Sequence, residues 1–231
     1  MSRVLFFDLD GTLSNTHDLA RATWLEVLRP HGIDVDVEFY QQHIRGRTDD
    51  EIITTILPRL HADEGRRLCT NRLSSYQDRV RRAAPLPGLP QFMEAARERA
   101  YRAALVTNSP RESAYHSLDP LGLSNAFDAM VFADEAGAHK PDPAPYNAAL
   151  QQLDLLPDLG IAFEDSPKGV AAATSAGIPV VALVTTHHPR ELREAGAALV
   201  VGDFADPVLY TMLDRPDILR QQPRTSPAPL A

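Results

Sequence analysis

Six short apolar runs, each about the length of one buried strand, recur along the chain and constrain its fold more than any other feature. They are Val4 to Phe7, Ala103 to Val106, Ala129 to Phe132, Ile161 to Phe163, Val180 to Val184 and Ala197 to Val201. A run of this length bounded by turn residues predicts a buried strand. Alanine-rich helical stretches separate the later runs: Gln91 to Ala100, Arg111 to Leu121, Ala144 to Leu153 and Lys168 to Ala176. Strands alternating with helices predict a parallel sheet covered on both faces, a doubly wound, Rossmann-like α/β architecture with right-handed crossovers.

One segment breaks the rhythm. From Ser14 to about Ala84 no strand pattern appears, only amphipathic helical spacing. Trp24, Leu25, Val27 and Leu28 form one apolar face, and Ile52, Ile53, Ile56 and Leu57 form another, which Leu68, Leu73, Tyr76 and Val80 continue. The expected organisation is a catalytic core over residues 1–13 and 86–215, with an all-helical cap domain inserted at 14–85. Residues 216–231 are expected to form a C-terminal tail. Its last ten residues, rich in Pro, Ser and Ala, are expected to fray.

The 231 residues, 44% of them hydrophobic, supply ample core for this plan. A formal net charge of -8 argues against a nucleic-acid partner, because phosphate backbones are held mainly by Lys and Arg. The lone Cys69 cannot form an internal disulfide, and no secretory signal pattern opens the chain. The apolar runs are far shorter than a membrane span. A cytoplasmic protein without membrane or nucleic-acid partners is expected, as a monomer or small homo-oligomer.

In open parallel sheets, ligands bind beyond the carboxyl ends of the strands, so the polar residues there carry the functional reading. The first run ends in Asp8-Leu9-Asp10-Gly11-Thr12, the second in Thr107-Asn108-Ser109 and the fourth in Glu164-Asp165-Ser166. A loop before the fourth carries Lys140-Pro141. These residue types suit phosphoryl transfer. A carboxylate such as Asp8 can attack phosphorus and split hydrolysis into two displacements. Because carboxylate and phosphate repel each other, a divalent cation must sit between them, and magnesium prefers oxygen ligands. Asp8 and Asp165 offer such ligands, Asp10 can add its backbone carbonyl, and Glu164 can sit at or just beyond the metal. Thr107, with Asn108 and Ser109 beside it, is expected to hold phosphate oxygens. Lys140 supplies fixed positive charge. Asp10 can protonate the leaving oxygen and then deprotonate the water that breaks the aspartyl phosphate. Thr107 also reads as a helix N-cap, and His187-His188 as a loop pair.

In these motifs the chain resembles the haloacid dehalogenase superfamily, in the branch with a helical cap after the first strand. The resemblance rests on Asp8 to Thr12, Thr107, Lys140-Pro141, and Glu164-Asp165-Ser166 with Gly169, in that order. It implies a magnesium-dependent phosphatase acting through an aspartyl-phosphate on a small phosphorylated metabolite of the sugar phosphate or phosphoglycolate type. The alternatives are a phosphomutase and a non-catalytic phospho-ligand-binding regulator. The mutase branch's substrate arginine falls at Asp49 and its hinge histidine at Ala20. Arg47 is the cap residue expected to contact an anionic substrate.

Overall fold

The computed structural model describes residues 3–45 and 47–220. Its strands are β1 (Val4–Phe7), β2 (Arg102–Val106), β3 (Ala129–Val131), β4 (Gly160–Glu164), β5 (Val180–Leu183) and β6 (Leu199–Val201). They form a six-stranded sheet in the order β3-β2-β1-β4-β5-β6, and every pairing is parallel. Both halves wind outward from the centre, so the strand order reverses at β1. That is where a doubly wound sheet opens its ligand crevice.

Side-chain alternation divides the sheet into two faces. Leu5, Phe7, Leu105, Ile161, Phe163, Val181 and Leu183 point into one apolar cluster. There they meet α5 (Leu89–Glu98), α6 (Arg111–Leu118) and α10 (Pro207–Asp214) through Phe92, Leu118 and Met212. Val4, Phe6, Val106, Ala162, Val180 and Ala182 point the other way. They meet α7 (Ala144–Leu153), α8 (Pro167–Ser175) and α9 (Pro189–Glu194) through Tyr146, Val170 and Leu192. The first face holds an aromatic knot. Phe7 stacks on Phe163 at 5.1 Å between ring centroids, and Phe92 and Phe204 close around Phe163 at 5.2 and 5.3 Å.

The chain divides into two compact units, Met1–Asn15 with Ala84–Ala231, and Thr16–Ala83. The second unit is helical. It contains α1 (Thr16–Leu28), α2 (Val37–Phe39), a π-helical turn at Tyr40–Ile44, α3 (Asp49–Ile56) and α4 (Ala62–Val80). Trp24, Leu28, Val35, Ile44, Ile52 and Ile53 form its core. The entry to α3 is fixed reciprocally, with Thr48 Oγ1 accepting from the Glu51 N–H and the Glu51 carboxylate accepting from the Thr48 N–H.

Two expectations need correction. Leu73 does not continue the apolar face of α4. Arg72 points inward instead, its guanidinium lying over Trp24 at 5.2 Å and pairing with Asp49 at 2.8 Å, and this turns Leu73 outward. The tail does not begin at residue 216. Pro216–Arg220 forms a 3₁₀ turn whose Leu219 is buried against the first apolar cluster, and residues 221–231 lie outside the described residues. Among the described residues, no helix is long and apolar enough to cross a membrane.

Phe204 is fully buried in the aromatic knot and remote in sequence from the polar strand ends. Truncating a buried Phe to Ala typically costs about 3–5 kcal/mol. Phe204→Ala should therefore lower the urea midpoint by that equivalent at an unchanged m-value, as measured by equilibrium unfolding.

Candidate active site

The strand register brings the polar motifs together. Phe7 is paired with Leu105 on one side and Phe163 on the other, so Asp8 emerges between the ends of β2 and β4. The Asp8 N–H still donates to Phe163 O at 3.0 Å, which anchors the residue to the sheet as its side chain leaves it. Gly11 then turns the chain at a φ of 85°, in the left-handed region that favours glycine. Space makes a second demand here, because a Cβ at Gly11 would overlap the Asp165 carboxylate.

Lys140 connects these strand ends. Its Nζ donates to Asp8 Oδ1 at 2.8 Å, to Glu164 Oε1 at 2.6 Å and to Val106 O at 2.7 Å, which occupies all three ammonium donors. Asn108 clasps the Lys140 backbone from both sides, accepting its N–H at 2.9 Å and donating to its carbonyl at 3.2 Å. Tyr146, whose ring packs edge-on to Phe6, donates its hydroxyl to Glu164 Oε1 at 2.5 Å. Glu164 Oε2 is buried without a hydrogen-bond partner and lies where a side chain at position 169 would begin. Gly169 is therefore required by the volume of a carboxylate.

Burial dominates the electrostatics. It pushes the Asp8 carboxyl above its usual range, with Lys140 opposing and Asp10 reinforcing the rise. It pushes Glu164 up to about 8, against the pull of Lys140 and with help from Asp8. Burial alone would lower Lys140, but the charges of Asp8 and Glu164 outweigh it and keep the ammonium protonated. The Tyr146 phenol is raised by burial and then by Glu164, so it remains a donor.

Asp8, Glu164 and Asp165 each present a carboxylate oxygen, and the three oxygens lie within 4.8 Å of one another. Hard oxygen donors, an orphaned buried oxygen on Glu164 and excess negative charge fit a divalent cation of the magnesium type.

The other expected residues fall as follows. Asp10 Oδ2 accepts from the Ser109 hydroxyl at 2.6 Å. The Thr107 hydroxyl accepts the Ser109 N–H at 3.0 Å, and α6 begins beyond Pro110, so Thr107 is not the N-cap of that helix. The side chains of Asn108 and Ser109, expected on phosphate, are thus engaged with Lys140 and Asp10. Arg47 lies in the helical unit, exposed, and donates to Gln42 O at 3.2 Å.

Some contacts at the site were not anticipated. Thr12, part of the first motif but given no role there, donates to Asp8 Oδ2 at 3.4 Å, and Tyr146, inside the expected Ala144 to Leu153 helix, was not singled out. His187, expected only as part of a loop pair, places Nδ1 3.0 Å from the Asp165 carbonyl oxygen, and Thr185 and Thr186 accompany it. His188 instead caps α9. A cavity of about 690 Å³ lined by Phe7, Met93, Tyr101 and Phe127 also reaches Arg102 and Asp128. Those two residues stand at the opposite ends of β2 and β3 from the carboxylates, so the cavity is separate from this chemistry.

A parallel sheet with converging carboxylates and one buried lysine at its carboxyl edge is the framework of a hydrolase class, and sequence comparison agrees. Residues 5–183 match the family described as haloacid dehalogenase-like hydrolase, and the chain belongs to that family. It is 31% identical over 201 residues to validoxylamine A 7'-phosphate phosphatase of Streptomyces hygroscopicus subsp. limoneus, covering 86% of this chain and 93% of that protein. It is 30% identical over 201 residues to the phosphorylated carbohydrates phosphatase of Thermotoga maritima, covering 85% and 93%. In fold it is similar to a haloacid dehalogenase family hydrolase from Deinococcus radiodurans R1 with bound phosphate and sodium. The TM-score there is 0.77 at 24% identity, covering 88% of this chain and 92% of that one.

The raised carboxyl of Glu164 has a pH signature. Its proton is held more tightly in the fold than in the unfolded chain. The resulting stability is fully present below the ordinary value of 4.5 and is lost as pH rises through about 8. A cation on the same carboxylates must displace that proton. The rise in Tm on adding a divalent cation to the chelator-treated protein should therefore be larger at about pH 8 than at about pH 5.5. Thermal unfolding at both pH values checks this, and an equal rise at both would contradict it.

Proposed function

We propose that this phosphoric monoester hydrolase removes phosphate from a small phosphorylated metabolite through an aspartyl-phosphate on Asp8. The observation that carries the reading is Asp8 fixed by Lys140 at the centre of the sheet, with Asp10 two residues on and Asp165 and Glu164 alongside. Asp8 Oδ1 is held by Lys140, and the carboxylate attacks phosphorus as the leaving oxygen departs. Asp10, oriented by the Ser109 hydroxyl, gives that oxygen its proton and later takes one from the attacking water. Thr107 and neighbouring backbone N–H groups receive phosphate oxygens. Asp8, Asp165 and Glu164, with the Asp10 carbonyl, would hold magnesium, which would neutralise charge between carboxylate and phosphate.

For the substrate, the relatives support a sugar phosphate or phosphoglycolate: the phosphorylated carbohydrates phosphatase of Thermotoga maritima speaks for the first, and a phosphoglycolate phosphatase of Rhodospirillum rubrum, 30% identical over 223 residues, for the second. Mutase chemistry is disfavoured, because the position of the mutase's substrate arginine is Asp49, and its carboxylate is paired with Arg72. A non-catalytic regulator is disfavoured because Asp8, Asp10, Lys140 and Asp165 are all present. We assign part of the substrate choice to Arg47.

Release of inorganic phosphate from a panel of sugar phosphates, with magnesium and with chelator, tests the reading. Asp8→Asn should reduce turnover to background while the fold, followed by circular dichroism, persists. Asp10→Asn should slow turnover by about two to four powers of ten. A folded Asp8→Asn protein with much of its activity, or isomerisation of a hexose phosphate without released phosphate, would overturn the proposal. Arg47→Ala should lower kcat/KM about ten- to a hundred-fold for the best sugar phosphate, the loss of one charge-assisted hydrogen bond. The same substitution should have little effect on a small aryl phosphate, and steady-state kinetics on both esters makes the comparison.

A further inference from the structure

The loop after β5 belongs to none of the motifs that identify the site, yet it ties two of them together. Thr185 donates its hydroxyl to Gly11 O at 2.5 Å, holding the turn that follows Asp8. The next residue, Thr186, bonds through Oγ1 to Asp165 Oδ2 and lies 3.0 Å from the Asp165 carbonyl oxygen. His187 Nδ1 lies 3.0 Å from the same carbonyl and 3.0 Å from Thr186 Oγ1. Asp165 is only 2% exposed. A Cβ at Gly11 would meet both Asp165 Oδ2 and the Thr186 methyl, so this oxygen is enclosed between the Gly11 turn and the Thr186 side chain.

We infer that Thr186 is a positioning residue for the cation site, holding Asp165 Oδ2 so that the rest of the carboxylate is presented in one orientation. This rests on the reading of Asp8, Glu164 and Asp165 as the cation's ligands. A carboxylate free to rotate must be ordered when the ion arrives, and a hydrogen bond to its other oxygen supplies that order in advance. Such supporting contacts are typically worth about 10- to 100-fold in metal affinity. A hydroxyl suits the task because it donates without adding positive charge beside the ion.

The bland alternative is that Thr186 only closes the β5 loop, and then its shape matters more than its hydroxyl. Thr186→Val keeps the shape and removes the donor, whereas Thr186→Ser keeps the donor and removes the methyl group. Binding of Mn2+ to the metal-free full chain, counted from the electron paramagnetic resonance signal of the free ion, reads affinity independently of turnover. Thr186→Val should bind about 10- to 100-fold more weakly, Thr186→Ser should stay close to wild type, and kcat at saturating metal should change much less than affinity. Thr186→Ala replaces Thr186→Val if the latter does not fold, with the same expected loss. Wild-type affinity in Thr186→Val, or equal weakening in Thr186→Val and Thr186→Ser, would overturn the inference while leaving the cation site intact. Failure of the wild-type chain to bind Mn2+ would overturn the reading of the site itself.

Discussion

Asp8 and Glu164 are both buried, and both place an oxygen within 3 Å of the same ammonium group, that of Lys140. Without that group, the carboxylates at the ends of β1 and β4 could not readily share one low-dielectric site in ionised form, because little water reaches them to screen the charge. The lysine has no freedom to move away, since its third hydrogen is bonded to Val106 O and its backbone is clasped by Asn108. One ammonium facing the carboxylates of Asp8, Glu164 and Asp165 leaves two negative charges to be met when all are ionised. A divalent cation would meet them, and without one burial holds the Glu164 proton up to about 8.

The sheet makes this convergence possible. Because winding reverses at β1, Asp8 has a parallel neighbour on each side, and the two registers bring Val106 and Glu164 level with it. Alternation then sends Phe7 and Phe163 to one face and Phe6 to the other, so helices cover both sides of the strands that carry the site. Tyr146 uses that covering layer. It is a core residue of α7 by its ring and a site residue by its hydroxyl.

The fold was legible because strands buried on both faces must be apolar throughout, and those runs are visible from Val4 to Phe7 onward. The placement of Asp8 and Asp165 at strand ends was legible because each closely follows such a run, whereas Lys140 stands in a loop and was legible only through the Lys140-Pro141 motif of the family resemblance. Contacts that depend on the direction of a side chain were not. Asn108 and Ser109 read as phosphate donors, yet their side chains meet Lys140 and Asp10 across sequence separations that no local pattern encodes. Thr185 and Thr186 lie in a polar stretch that reads as an ordinary loop, and only the closing of the sheet brings them to Gly11 and Asp165. Gly11 and Gly169 stood in the motifs from the start, but the reason for them is volume: each leaves room for a carboxylate.

A common design links these unforeseen contacts. Each acid at the site has a hydroxyl on one oxygen: Thr12 with Asp8, Ser109 with Asp10, Tyr146 with Glu164 and Thr186 with Asp165. More lysines or arginines would hold the carboxylates as well, but each would cancel charge that a cation must find. Leaving the oxygens unpaired would preserve the charge and lose the geometry, since buried acceptors without donors seek other rotamers or protons. Neutral hydroxyls avoid both difficulties for the oxygens they bond; Glu164 Oε2 has no such donor, and burial raises that carboxyl to about 8. The hydroxyls fix direction while leaving the net charge to Lys140 alone, so orientation and charge can be set by different residues.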